Sequence, residues 1–330
     1  MNQLRVGVIG VGHLGALHAK MLADIPGVRL VGVYDLNGKR AESVAAAHHT
    51  FAFADMEALL QEVDAVTIAT STSAHFATAC RALDAGKHVF LEKPITETTA
   101  EAEQLCRLAG TKGLTVQVGH IERFNPAILA LDKYEIKPMF VESHRLAQFN
   151  PRGTDVAVVL DLMIHDIDII LSFVQSPVTR VEANGVAVVS DSVDIANARL
   201  QFENGCVANV TASRISQRKM RKMRLFQPSG YISIDFSEGL AEVFRLVGED
   251  EPETKGTMML GELGSGKHKR KIVYEQPEVK EVNALHYELE LFAEAVTKGR
   301  RPVVSGEDGR RALEVASVIM EKIGQQKLPV

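Results

Sequence analysis

Tryptophan is absent from the 330 residues, aromatic side chains amount to 5%, and cysteine occurs three times. So few rings leave little to stack on bases. The formal net charge of −5 is also opposite in sign to the footprint of a general nucleic-acid binder, so no nucleic-acid partner is expected. Cys80, Cys106 and Cys206 lie far apart and form no C-x-x-C or Cys/His cluster. Neither a disulfide framework nor a structural metal site follows, and the thiols read as those of a reduced, cytoplasmic protein. No run approaches the ~20 apolar residues of a membrane span. The richest stretch, Val156–Val174, is broken by Asp161, His165, Asp166 and Asp168. Val6–Val11 is short, punctuated by glycine and lacks a cleavage pattern, so it is not read as a signal peptide.

What is present is ordinary for a globular chain, with 46% hydrophobic and 24% charged residues, and the length suits two domains. Over residues 1–120 short apolar runs alternate with helical patterns. Strands are predicted at Val6–Ile9, Leu30–Tyr34, Thr50–Phe53, Ala65–Thr70, His88–Leu91 and Thr115–Gly119. Helices are predicted over Ala77–Ala85 and Ala100–Ala109, the latter opened by a Thr98/Glu101 capping box. Six strands with crossover helices make a doubly wound α/β Rossmann domain. Residues 121–330 read as a second, α+β domain. A helix is expected at Asn125–Lys133, a strand at Phe140–Leu146 and a helix at Leu160–Phe173, followed by successive strands from Arg180 to Leu246. Glu249–Lys271 is polar and glycine-rich and reads as a mobile loop. The helices Ala284–Lys298 and Gly306–Glu321, the second capped by Ser305, are free to pack back on the first domain.

Gly10-Val11-Gly12-His13-Leu14-Gly15 is G-x-G-x-x-G. It follows an apolar strand, opens a helix, and has Asp35 at the end of the next strand, 20 residues past Gly15. That context points to a dinucleotide. Gly10 allows the tight turn, Gly12 the approach of a pyrophosphate, and Gly15 close helix–strand packing. The N–H groups of the helix start around His13 and Leu14 then meet the phosphate charge. Asp35 suits the ribose hydroxyls of NAD and repels a 2′-phosphate, while Arg40 keeps NADP open as the less favoured cofactor. Gly261–Lys267 imitates the first part of a phosphate-binding loop, but His268 stands where Ser or Thr must hold magnesium, so no ATP site is read there.

Two further groups of residues carry chemistry. Lys93, in Glu92-Lys93-Pro94, follows a strand whose end lines the ligand crevice of such a sheet, where an ammonium can orient a hydroxyl. Asp161, His165 and Asp168 fall at i, i+4 and i+7, one stripe of an otherwise apolar helix. Charges buried there are costly unless they are paired or used. His165 suits acceptance of a hydroxyl proton as hydride leaves, with Asp161 orienting it or touching substrate. A metal site and a satisfied structural network are the competing readings.

The fingerprint, Ala69-Thr70-Ser71-Thr72-Ser73-Ala74-His75, Ala85-Gly86-Lys87-His88-Val89, Glu92-Lys93-Pro94 and Asp161-x-x-x-His165 occur in the order seen in the Gfo/Idh/MocA oxidoreductases. The chain resembles that family over essentially its whole length. The resemblance implies a Rossmann domain followed by an open, mostly antiparallel sheet that serves as an oligomer interface, in a homodimer or homotetramer. It implies that Lys93, Asp161 and His165 are the catalytic set, and that Thr70, Ser71, His75 and Glu92 join Lys93 at the cofactor. Ser71 departs from the proline common after Thr70. Within the family, His120-Ile-Glu-Arg123-Phe-Asn125-Pro126 and the Asp161–Asp168 segment look most like the branch that oxidises the 3-hydroxyl of UDP-N-acetylglucosamine. A nucleotide-sugar substrate is thus implied, with Arg123, Asn125 and Arg152 beside it.

Arg214, Arg218, Lys219, Arg221, Lys222 and Arg224 crowd one segment. They read as a solvated strand face or a subunit contact, or, with Arg123, Arg145 and Arg152, as partners for a diphosphate. Two other functions fit the same residues: a dehydrogenase of a free cyclitol or aldose, and a non-catalytic NAD(H)-responsive regulator.

Overall fold

The computed structural model describes residues 3–150, 156–228, 230–248, 257–264 and 270–325. It divides into two units, 1–121 with 283–314, and 122–282 with 315–330.

The first unit is built on β1 (Leu4–Ile9), β2 (Val28–Tyr34), β3 (Phe51–Ala52), β4 (Ala65–Ile68), β5 (His88–Glu92) and β6 (Val116–Gly119). They pair in parallel in the order β3-β2-β1-β4-β5-β6, the doubly wound topology. Between them run α1 (His13–Asp24), α2 (Gly38–Ala47), α3 (Met56–Glu62), α4 (Thr72–Asp84) and α5 (Thr99–Lys112). The Thr98/Glu101 capping box at the start of α5 is formed in both directions, and Gly113 closes that helix in the left-handed region. Val6, Val8 and Phe90 fill the core together with Leu289 and Phe292 of a late helix, α8 (Ala284–Lys298, numbered in chain order), which packs on α1. Phe90 and Phe292 meet edge to face at 5.7 Å.

The second unit begins with a 3₁₀ turn at Ile121–Phe124, which straddles the division, and α6 (Pro126–Leu129). The helix expected over Asn125–Lys133 is thus a single turn. Beyond it Leu131 and Tyr134 donate to carbonyls three residues back, in turns tighter than an α-helix. A nine-stranded sheet follows: β7 (Phe140–Leu146), β8 (Val178–Val186), β9 (Ile195–Phe202), β10 (Val207–Ser213), β11 (Met220–Gln227), β12 (Gly230–Asp235), β13 (Leu240–Gly248), β14 (Thr257–Leu263) and β15 (Arg270–Glu275). Its order is β14-β15-β13-β12-β11-β7-β10-β9-β8. Every pairing is antiparallel except β7 with β10.

The loop expected at Glu249–Lys271 is corrected here. Its described part forms β14 and the start of β15, because pairing along β13 and β15 satisfies a backbone whose composition alone reads as loop. Gly261–Leu263 of the phosphate-loop imitation therefore lies in a strand, and 265–269 lie outside the described residues. A π-helical turn, Val159–Met163, leads into α7 (Ile164–Val174), which packs on β7 and β10. α7 and strand residues such as Ala198, Val210, Met223 and Ile234 bury one face of the sheet. On the other face Phe140, Phe226, Tyr231, Phe244 and Tyr274 stand in register across β7, β11, β12, β13 and β15, with neighbouring ring centroids 5.0–6.0 Å apart. The final helix, α9 (Gly306–Gly324), is opened by Ser305 and Asp308, each accepting from the other's backbone N–H. No helix among the described residues is long and apolar enough to cross a membrane.

Candidate active site

In the first unit the candidate residues grow from the β1–α1 turn. Gly10 sits at φ +82°, and a Cβ there would stand 2.8 Å from the Thr70 methyl. Gly15 is tighter still: its Cβ would lie 1.8 Å from the Gly10 carbonyl oxygen. Gly12, by contrast, faces open space, with nothing within 4 Å of a Cβ. It caps α1, which has no side-chain cap and no acidic residue in its first turn. The N–H groups and positive end of α1 are thus left for an external anion beside exposed His13 and Leu14.

Asp35 accepts from the backbone of Val11 at 2.8 Å through one carboxylate oxygen and from Asn37 at 2.8 Å through the other. The carboxylate is therefore fixed beside the turn, with lone pairs remaining for a diol. Arg40 comes within 3.6 Å of it and is half-exposed. These features fit a dinucleotide: room at Gly12, an uncapped helix start and an anchored carboxylate.

Thr70 and Ser71 lie between β4 and α4, with Ser71 exposed as the cap of α4. His75 is buried, its Nδ1 2.9 Å from the Pro94 carbonyl and its Nε2 3.2 Å from that of Thr70. It ties two loops at the strand ends together, and burial holds its pKa below the usual value against the opposing pull of those carbonyls. Glu92 ends β5, with Lys93 half-buried beside it. One Glu92 oxygen lies 2.9 Å from Nε2 of His18, on α1, and the other accepts from the Lys93 backbone at 3.3 Å.

In the second unit the candidate residues stand on the π-helical turn and α7. Asp161 and His165 are both half-buried. Asp161 falls in the π-helical turn, His165 and Asp168 in the regular helix that follows. Asp168 lies buried under a fork from Arg123, with Nε at 2.6 Å and Nη2 at 2.8 Å. Asn125 caps α6 through its oxygen and donates to Glu122 and to the Phe236 carbonyl. Arg123 and Asn125, expected beside the substrate, thus spend these bonds inside the unit. Arg152 lies outside the described residues.

Beside them Arg145 joins Asp166 (Nη2 at 2.7 Å) to Glu122 (Nη1 at 2.8 Å). Arg221 approaches Glu122 at 3.5 Å. The basic segment is accordingly dispersed: Lys222 pairs with Asp235, Arg224 lies near Glu142, and Arg214 donates to the Val156 carbonyl. His18, Glu122 and Asp166 escape the sequence reading. Their one signal is a titratable side chain inside an apolar pattern, which does not name its partner. Among the described residues no group of three or more His, Cys, Asp or Glu could hold a metal ion.

The doubly wound sheet, glycine turn and anchored carboxylate of the first unit are those of a dinucleotide-dependent oxidoreductase. The chain belongs to the GFO/IDH/MocA oxidoreductases, its residues 4–120 matching the family's NAD-binding Rossmann fold and 140–239 its C-terminal domain. It is 39% identical, over 96% of both chains, to the UDP-N-acetylglucosamine 3-dehydrogenase of Acidithiobacillus ferrooxidans. The solved structure of that enzyme superposes with a TM-score of 0.87 at 38% identity, covering 98% of each chain. The scyllo-inositol 2-dehydrogenase (NAD(+)) of Bacillus subtilis is 29% identical over 95% of this chain and 92% of its own. The scyllo-inositol dehydrogenase of Lactobacillus casei, solved with NAD(H) and scyllo-inositol bound, shares the fold at a TM-score of 0.77 and 21% identity, over 98% of each chain.

Proposed function

We propose that the chain oxidises the 3-hydroxyl of UDP-N-acetylglucosamine, or of a related UDP-sugar, to a ketone with NAD. The observation that carries the substrate is the 39% identity, sustained along 96% of both chains, to the enzyme that bears this name. The choice of NAD over NADP rests on Asp35, whose anchored carboxylate suits ribose hydroxyls and opposes a 2′-phosphate.

In this reading an imidazole nitrogen of His165 takes the hydroxyl proton, while the ammonium of Lys93 orients that oxygen and favours its developing negative charge. Asp161 assists His165 or holds the sugar. A bound nicotinamide would supply the acceptor for the hydride that leaves the carbon as C=O forms, and the hydroxyl proton would rest on His165. Thr70, Ser71 and Glu92 shape the cofactor side, and His75 braces it. The protein acts as a homodimer or homotetramer through the open face of the second sheet, a reading supported by the row of five half-exposed rings there. Three free thiols suit a reducing cytoplasm.

The test incubates the protein with NAD and a panel of UDP-sugars and free sugars and weighs the products by mass spectrometry, under stoichiometric as well as catalytic conditions. A two-hydrogen loss in UDP-N-acetylglucosamine is expected. Oxidation of inositol or a free aldose instead would discard the nucleotide sugar, and tight NAD binding without any conversion would favour a regulator. Lys93→Ala and His165→Ala are each expected to lower turnover by about a hundredfold or more while leaving NAD affinity largely intact. Normal turnover in both would overturn the roles.

A further inference from the structure

His75 is the fourth residue of α4 and is 1% exposed, with both ring nitrogens turned to backbone carbonyls. Nδ1 lies 2.9 Å from the carbonyl oxygen of Pro94, and Nε2 lies 3.2 Å from that of Thr70. A carbonyl oxygen only accepts, so an imidazole with one hydrogen bonds one of them, and only an imidazolium bonds both. The second proton is opposed from two sides. Burial lowers the ring's affinity for it, against the pull of the carbonyls and of Glu92, the charged group that bears on the ring from β5. The start of α4 adds its positive end, with no acidic residue in the first turn and no side-chain cap to offset it. The ring is therefore neutral, and its hydrogen belongs to the shorter approach, on Nδ1.

The acceptor of that hydrogen is the carbonyl of the residue that follows Lys93. The pairing of β5 with β6 stops at Glu92 and Gly119, so no strand partner holds the segment beyond it. Pro94, Ile95 and Thr96 are buried, and proline brings no N–H of its own. On one side of Pro94 the Lys93 backbone meets Glu92 at 3.3 Å, and on the other the Thr96 hydroxyl donates to the Thr98 carbonyl at 2.7 Å. Both are contacts within the segment itself. His75 ties it to a helix.

We propose that His75, as the Nδ1–H tautomer, is a positioning residue for Lys93: its bond to the Pro94 carbonyl fixes the backbone from which the lysine side chain leaves the strand end. The role rests on the reading of Lys93 given above, whereas the tautomer and the placement of the lysine are measurable without any substrate.

Two substitutions separate the two contacts of the ring. Asparagine carries its amide nitrogen about as far from the backbone as Nδ1, and glutamine about as far as Nε2. His75→Asn thus keeps a donor for Pro94, His75→Gln keeps one only for Thr70, and His75→Leu keeps neither. A buried carbonyl stripped of its donor favours displacement of its loop by about fivefold or more. Competitive acetylation with acetic anhydride, read by mass spectrometry against the surface lysines, reports how open Lys93 is. Its relative labelling is expected to rise about fivefold or more in His75→Gln and His75→Leu, and to return to within about threefold of wild type in His75→Asn. Displacing the lysine also lowers kcat for UDP-N-acetylglucosamine with NAD by about tenfold or more, and asparagine recovers most of that loss. In the wild type, nitrogen NMR of isotopically labelled histidine at neutral pH is expected to show the His75 hydrogen on Nδ1.

A hydrogen on Nε2 alone, or on both nitrogens, overturns the proposal. Equal Lys93 labelling in His75→Asn and His75→Gln overturns it too, since a loosened fold moves both alike. If these variants do not fold, the spectrum of the wild type decides. Turnover of Lys93→Ala keeps the two claims apart. A competent Lys93→Ala discards the role of the lysine, while an inactive one with no split between asparagine and glutamine discards only the part assigned to His75.

Discussion

Arg123→Ala offers the sharpest test of how the second unit uses its charges. Arg123 sits 14% exposed, and its two N–H bonds cover an Asp168 side chain that is 1% exposed. Stripping one member from a buried pair of this kind costs about 3–5 kcal/mol, because the remaining charge keeps its desolvation penalty and loses its compensation. For a unit of this size each kcal/mol corresponds to about 2–4 °C, so melting should fall by roughly 6–20 °C. Replacing both members with apolar residues, Arg123→Met with Asp168→Leu, removes the buried charge altogether and should recover most of that loss. The assay is thermal melting of the two single variants and the double variant at one pH and ionic strength, with KM for the sugar measured on each folded protein. The reasoning fails if Arg123→Ala melts within about 2 °C of wild type while KM rises tenfold or more. Arg123 would then be a substrate ligand, and its contact with Asp168 incidental.

The glycines of the first turn should separate folding from cofactor binding. Gly15→Ala forces a Cβ toward the Gly10 carbonyl, 1.8 Å away, and is expected to cost at least about 1–3 kcal/mol and disturb the turn. Gly12→Ala meets nothing within 4 Å, so its melting in the absence of NAD should stay near wild type while NAD affinity falls by tenfold or more, as titration calorimetry would show. Equal effects in both assays would refute that division. Asp194 accepts from the backbone of Val188, Val189 and Ser190 and from the Ser190 hydroxyl, between 2.7 and 3.1 Å, and those bonds prevail over burial to hold its carboxyl well below the usual range. A depressed folded-state value means that its stabilisation is complete above the unfolded pKa near ~4 and is lost as pH falls through the folded one. Asp194→Asn should therefore be destabilised by about 2 kcal/mol at pH 7, with the gap from wild type narrowing below about pH 4 in denaturant titrations. A gap that does not change with pH would show that shape, and not charge, matters at this position.

The alternation of apolar runs and helices across residues 4–120, the glycine spacing and the position of Asp35 were enough to read the doubly wound sheet and the turn that meets a dinucleotide, because both depend on local patterns of short range. Helix α8 was found with its full bounds, and the capping box of α5 was legible for the same reason: its partners lie three residues apart. The order of strands in the second sheet was not legible, nor was the pairing of β14 and β15. A strand's neighbour is chosen by register and burial at long range, and nothing in a polar, glycine-rich segment announces them. The same limit governs the charges. Sequence singled out Arg123 and Asp168, but only packing set one against the other, 45 residues apart, as a buried pair. It read a regular helix from Leu160, whereas the first turn, Val159–Met163, is a π turn. Residue type and spacing thus determined which side chains have chemistry to offer, whereas the low dielectric and fixed geometry of the folded interior decided which of them are spent holding the structure together.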